Sequence, residues 1–129
     1  VIIIDALAAR SLKRLGRTVQ LSNTGISPGS GAMNRRRELS RQTLGTSVIS
    51  MGVPTVADGV TVRCDLLSVE GVDDEQAARA LFAPEGQSML VTPKEIDLLI
   101  DRASKILAMA INRALQPGLS QEELAYFVS

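Results

Sequence analysis

The opening run Val1-Ile2-Ile3-Ile4-Asp5 constrains the fold more than any other stretch of the chain. Four consecutive β-branched apolar residues predict a strand buried on both faces, of the kind found inside a parallel sheet. The run ends on a carboxylate followed by Ala6-Leu7-Ala8-Ala9-Arg10, which predicts Asp5 at the strand's carboxyl end. In open α/β sheets ligands bind at that edge. An Asp at a strand end also serves as a cap or turn former, so it is the loop one strand later that makes Asp5 a candidate. An interior strand needs neighbours on both sides, and the sequence starts on this one without a Met. Upstream strands are therefore expected outside it.

A length of 129 residues, 45% hydrophobic content and zero formal net charge describe a globular chain with one core. Phe82, Tyr126 and Phe127 are its only aromatic residues, so stacking on nucleic-acid bases is not expected. With no His, neither a Ser-His-Asp nor a Cys-His centre can be assembled within the chain. Cys64 stands alone, which rules out an internal disulfide or a multi-cysteine zinc site. No apolar run reaches the ~20 residues of a membrane span. Acid–base chemistry thus falls to carboxylates, with Lys13, Lys94, Lys105, Tyr126 and Cys64 as lesser candidates. Residues 1–63 carry nine basic side chains against three acidic ones, and the remainder five against eleven. Such asymmetry either attracts an anionic partner or is neutralised within the fold.

Along the chain, residues 6–15 suit a short helix with Gly16 as its stop. Thr18–Ser22 alternates as a half-buried strand. Residues 37–44 suggest a brief helix ending at Gly45, and residues 47–53 a third strand. Thr55 and Asp58 resemble a helix cap, while residues 56–67 fit both a strand and a helix, with the cap favouring the helix. A helix over Asp73–Phe82 and a strand over Ser88–Val91 follow. Thr92-Pro93-Lys94-Glu95 predicts a capped start for a long amphipathic helix ending near Gln116-Pro117-Gly118. A last helical segment begins at Ser120. The order of elements is α/β.

Between the second and third strands lies Asn23-Thr24-Gly25-Ile26-Ser27-Pro28-Gly29-Ser30-Gly31, a loop by composition. Its glycines free backbone N–H groups to cradle an anion, or allow a substrate backbone close approach beside Asp5. It lacks both the Walker and the dinucleotide glycine patterns. A surface turn without a role is the plain alternative.

Four separated segments are familiar together: Ile4–Arg10 (Ile-Asp-Ala-Leu-Ala-Ala-Arg), Thr24–Gly31 (Thr-Gly-Ile-x-Pro-Gly-Ser-Gly), Gly52–Asp58 (Gly-Val-Pro-Thr-Val-x-Asp) and Met89–Asp97 (Met-Leu-Val-Thr-Pro-Lys-Glu-Ile-Asp). In this order they resemble the C-terminal part of the spore germination proteases, which degrade small acid-soluble spore proteins. The resemblance implies a three-layer phosphorylase/hydrolase-like α/β fold, akin to hydrogenase maturation proteases, with a mostly parallel sheet. Residues 1–129 would be the C-terminal part of one peptidase domain. Asp5 matches one of two catalytic aspartates, and the other lies upstream of this sequence. Thr24, Gly25, Pro28, Gly29, Ser30, Gly31, Asn34 and Arg35 would shape the substrate cleft. No cofactor or metal is implied; the expected partners are the spore proteins and further copies in a tetramer, with neither nucleic acid nor membrane. The family is made as zymogens and acts in the spore core, within the cytoplasm. Two carboxylates sharing a proton can activate water and protonate a leaving amine, which suits a chain without His. Without the upstream aspartate, these 129 residues alone would be inactive.

The family loop runs Gly-Ser-Gly-Val-Gly-Asn where this chain has Gly29-Ser30-Gly31-Ala32-Met33-Asn34, Ser27 replaces a common His, and Cys64–Gly86 is short. A non-catalytic module binding an anion or peptide through the loop is the alternative from another class. A metal-directed relative of the maturation proteases is a third, although one Asp supplies few ligands for a hard cation.

Overall fold

The computed structural model describes residues 1–29, 36–69 and 89–128. They form two compact units, Val1–Pro93 and Lys94–Ser129, described separately below. The predicted helix at Asp73–Phe82 lies outside the described residues.

The first unit is built on β3 (Ile49–Asp58). Met51 through Thr55 are buried, and Ala57 has no exposed surface. β1 (Ile2–Ala9) runs parallel to β3 along one edge, from Ile2 opposite Ile49 to Ala9 opposite Ala57. On the other edge, β2 (Gln20–Ser22) pairs antiparallel with Gly52–Ser50, and β4 (Leu90–Val91) pairs antiparallel with Asp58 and Ala57. The sheet is therefore mixed, not mostly parallel as expected. Both antiparallel strands are very short, three and two residues, and their direction is set by how the chain returns to β3.

β1 also differs from its prediction. It continues four residues past Asp5, so this carboxylate stands mid-strand rather than at the carboxyl end. Alanine prefers helix, but pairing with β3 overrides that preference; Ala9 and Ala57 meet as small, fully buried partners. Nor is β1 buried on both faces: Ile2 and Ile4 are 39% and 56% exposed, while Ile3, Asp5 and Leu7 are half-buried. The register shifts between Leu7 and Ala8, which face Pro54 and Val56, so Thr55 is the extra residue of a β-bulge. Pro54 has no N–H to give to a ladder, and a bulge is where a strand tolerates that. Its carbonyl accepts from the Gly16 N–H at 2.7 Å.

The predicted helix after Asp5 shrinks to a 3₁₀ turn, Leu12–Arg14. Asp65 holds its start, accepting from the Ser11 hydroxyl at 3.0 Å and from the Leu12 N–H. Asp65 belongs to α2 (Gly59–Val69). The two readings of residues 56–67 divide at Asp58: strand before it, helix after it. Asp58 caps that helix, its Oδ1 accepting from the Thr61 N–H at 2.6 Å. Thr55 lies inside β3 and caps nothing. The helix predicted over residues 37–44 is a single turn, α1 (Arg41–Leu44), closed by Gly45 at φ 69° with its N–H on the Arg41 carbonyl.

In the second unit, α3 (Ile96–Leu115) packs on α4 (Gln121–Val128) with Leu107 and Leu124 buried. Glu95, not Thr92, occupies the cap position of α3, because Lys94 and Glu95 form a turn between Pro93 and the helix. Gln116 N–H on the Asn112 carbonyl and Arg113 Nη1 on the Leu119 carbonyl close its end. At α4, Ser120 and Glu123 cap reciprocally: the Ser120 N–H donates to Glu123 Oε2 at 2.8 Å and the Glu123 N–H donates to Ser120 Oγ at 3.2 Å. The Ser120 backbone bond, then its hydroxyl, holds the Glu123 carboxyl below the usual glutamate range. A lowered folded-state pKa gives stabilisation that is present above the unfolded pKa and lost as pH falls through the folded one. The first turn of α4 is accordingly expected to fray on acidification below the ordinary glutamate pKa, read by amide shifts of Gln121–Glu123. Glu123→Gln is expected to flatten that response.

Candidate active site

Residues paired in register share one face of a sheet. The pairings therefore put Ile3, Asp5 and Leu7 of β1 on the same face as Ser50, Gly52 and Pro54 of β3, and as Gln20 and Ser22 of β2. Asp5 is half-buried at the middle of this face. Among the described residues, no hydrogen bond or ion pair engages its carboxylate.

Directly opposite Asp5 is Gly52. A Cβ there would fall within 2.6 Å of Leu7 Cγ and closer still to Cδ1, so the Leu7 side chain lies across the glycine. Glycine at this position is a packing requirement: it lets Leu7 fold down beside Asp5. Gly52→Ala is expected to displace Leu7 and to destabilise the protein by about 1–3 kcal/mol, the usual cost of overpacking. Adding Leu7→Ala should make the Gly52→Ala change milder, a coupling that a double-mutant cycle of urea melts would measure.

The loop after β2 is built by short contacts. Thr24 N–H donates to Ser22 Oγ at 3.1 Å, and the Ser22 and Thr24 hydroxyls lie 2.7 Å apart. Gly25 adopts φ 107°. Ile26 and Leu39 then exchange two backbone bonds, of 3.0 and 2.8 Å, and the Arg36 N–H donates to the Pro28 carbonyl. Gly29 is again left-handed, at φ 71°. Gly25 passes so close to the returning segment that a Cβ would sit 2.5 Å from the Leu39 carbonyl oxygen and 2.7 Å from Ser40 Cβ. Glycine is thus required twice here, by conformation and by space.

Of the residues predicted from sequence, Asp5, Thr24, Gly25, Pro28 and Gly29 are described; Ser30, Gly31, Asn34 and Arg35 lie outside the described residues. Thr24 is exposed, and Gly25, Pro28 and Gly29 are half-buried. Asp5 and the root of the loop reach the same sheet face, linked through Ser50, which stands in register between Ile3 and Ser22. Asp58 acts as a helix cap. Lys105 pairs with Asp101 at 3.4 Å, one turn apart on α3. No cluster of three His, Cys, Asp or Glu side chains able to hold a metal occurs among the described residues, and no helix among them is long and apolar enough to cross a membrane.

Sequence reasoning missed Leu7, Ser40 and Ser50. For Ser50 a signal existed: a hydroxyl inside the apolar run Val48–Val53 must find a partner when buried. Ser40, 5% exposed, has a hydroxyl with no hydrogen-bond partner among the described residues, and sequence offers no sign of it.

The sequence profile of the germination protease family matches residues 1–70 and 66–128. The germination protease of Caldanaerobacter subterraneus subsp. tengcongensis is 42% identical over 96% of this chain and 45% of its own length. That of Clostridium acetobutylicum is 40% identical over all of this chain and 46% of its own, and that of Bacillus pumilus 35% identical over 98% and 48%. The chain thus spans about half the length of these curated relatives. The alignments run to 146, 151 and 179 positions, longer than the 129-residue chain, so the relatives hold additional residues within the matched region. On the strength of a profile match across nearly its whole length, the chain belongs to the germination protease family.

Proposed function

We propose that this chain supplies one half of the catalytic centre of a germination endopeptidase of the aspartic type. The observation that carries the proposal is Asp5: a half-buried carboxylate, unpartnered among the described residues, facing a glycine and sharing its sheet face with the root of a Gly-rich loop. Such a carboxylate is free to take a proton from water. A second carboxylate, from outside these 129 residues, protonates the leaving amine. Like charges that share a site pull their pKa values apart, so one stays ionised as base while its neighbour holds the proton as acid. In this reading the substrate-binding residues are Thr24, Gly25, Pro28 and Gly29, with Ser30, Gly31, Asn34 and Arg35.

The substrate we infer is the small acid-soluble spore proteins, cleaved in the spore core by a zymogen-derived homotetramer. The fold of the complete domain would be the three-layer phosphorylase/hydrolase-like one, with residues 1–129 as its C-terminal part. Family membership supports this reading, as does a chain that contains no His. The test is incubation of a purified small acid-soluble spore protein with two samples: a germination protease of full family length carrying this sequence, and the 129-residue chain alone. Cleavage is expected only from the first. Cleavage by the short chain would remove the second carboxylate from the mechanism. No cleavage by either, after removal of any propeptide, would favour a non-catalytic peptide- or anion-binding module.

A further inference from the structure

We propose that Ser50 is a positioning residue for this centre: its hydroxyl ties the Gly-rich loop to the strand that pairs with Asp5. The proposal rests on the assignment of Asp5 and the loop to peptide hydrolysis. Ser50 is 3% exposed on β3, two residues before Gly52 and on the same face. Its Oγ donates to the Ser22 carbonyl at 3.2 Å and lies 3.5 Å from that of Gly25. A serine has one hydroxyl proton, so the two carbonyls share it.

Their position gives the bond its significance. Ser22 is the last residue of β2 in the ladder, and its pairing with Ser50 ends the regular sheet. Three residues later, Gly25 is already part of the loop, yet it remains tied to β3 through Ser50. From the other side, Gly25 is pressed against Leu39 and Ser40, and Ile26 is bonded to Leu39. The loop root is thus gripped between Leu39–Ser40 and β3, and of these only β3 is paired with Asp5. Ser50 therefore sets the distance between the loop and the carboxylate. Where a substrate backbone must lie against one and present its scissile carbon to the other, a small displacement costs rate out of proportion to its size.

Two readouts test this with Ser50→Ala and Ser50→Thr. In the 129-residue chain, hydrogen exchange at the Ile26 and Leu39 amides is expected to speed up roughly fivefold to tenfold in Ser50→Ala, the loss of one modest hydrogen bond. The Gly45 amide, bonded within α1's turn, should be unchanged. In a germination protease of full family length, Ser50→Ala should lower kcat/KM for a spore-protein substrate by roughly tenfold, mainly through kcat. Ser50→Thr, which keeps the hydroxyl, should restore most of both. Unchanged exchange at Ile26 and Leu39 in Ser50→Ala would overturn the proposal, as would an equal loss of kcat/KM in the alanine and threonine variants. Failure of the catalytic assignment shows itself differently: Asp5→Asn would cleave normally, while the exchange measurement still decides the role of Ser50.

Discussion

Asp5→Asn, in a germination protease of full family length, is expected to lower kcat for spore-protein cleavage by about 10²–10⁴-fold, the range for loss of a general base. Asn is nearly isosteric with Asp, and the carboxylate makes no hydrogen bond or ion pair among the described residues. The fold should therefore survive, with circular dichroism and the urea midpoint unchanged. KM should move little, because the loop proposed to bind the substrate is held by Ser50, Leu39 and Ser40 and not by Asp5. Asp5→Glu keeps the charge but lengthens the side chain by one methylene. It should recover only part of the rate, since a base misplaced by about an ångström loses much of its advantage.

Gly25→Ala is the second large effect. Here the damage is structural. At φ 107° an L-residue is strained, and the added methyl would stand 2.5 Å from a backbone oxygen that cannot rotate aside. We expect destabilisation by about 2–4 kcal/mol, from strain and overpacking together. Loss of the Ile26–Leu39 bridge should accompany it, seen as rapid exchange of both amides. Gly45→Ala is the natural comparison: it has a similar left-handed φ of 69° but open space around the Cβ position. Only the conformational penalty applies there, about 1 kcal/mol, so the difference between the two variants isolates the close contact.

How much of this was legible in the sequence depends on which forces act at each place. Local signals worked where the deciding interaction is local. The Gly45 stop, the Asp58 cap and the start of the last helix at Ser120 all rest on bonds between residues within about a turn. The Gly-rich loop was equally plain, because glycine and proline leave the chain few regular alternatives. Asp5 is legible as a candidate carboxylate, but its place is not: it stands in the middle of its strand and not at the carboxyl end. Ala6–Ala9 carry a helical preference locally; the strand they form exists because β3 pairs with them, and that partner lies more than forty residues away. The mixed sheet was hidden for the same reason. Whether a three-residue segment such as Gln20–Ser22 runs parallel or antiparallel is settled by how the chain returns, not by its own residues. Gly52 looked like a motif residue without a reason, and only the Leu7 side chain lying across it supplies one.

The four motifs recognised in the sequence are spread over both matched stretches of the family profile. Two of them, Ile4–Arg10 and Gly52–Asp58, turn out to be neighbouring parallel strands whose residues meet in register at Asp5 and Gly52. A third begins just past Ser22, where β2 leaves the sheet. Two motifs far apart in sequence thus lie side by side in one sheet.

The most direct test of the account is the distance from the Asp5 carboxylate to the nearest carboxylate contributed from outside these 129 residues. It would be measured in an experimental structure of a germination protease of full family length carrying this sequence. The account predicts a second Asp or Glu within about 4–6 Å, the range over which like charges separate their pKa values. An Asp5 with no acidic neighbour inside about 10 Å, a Debye length at ordinary salt, would contradict the carboxylate pair.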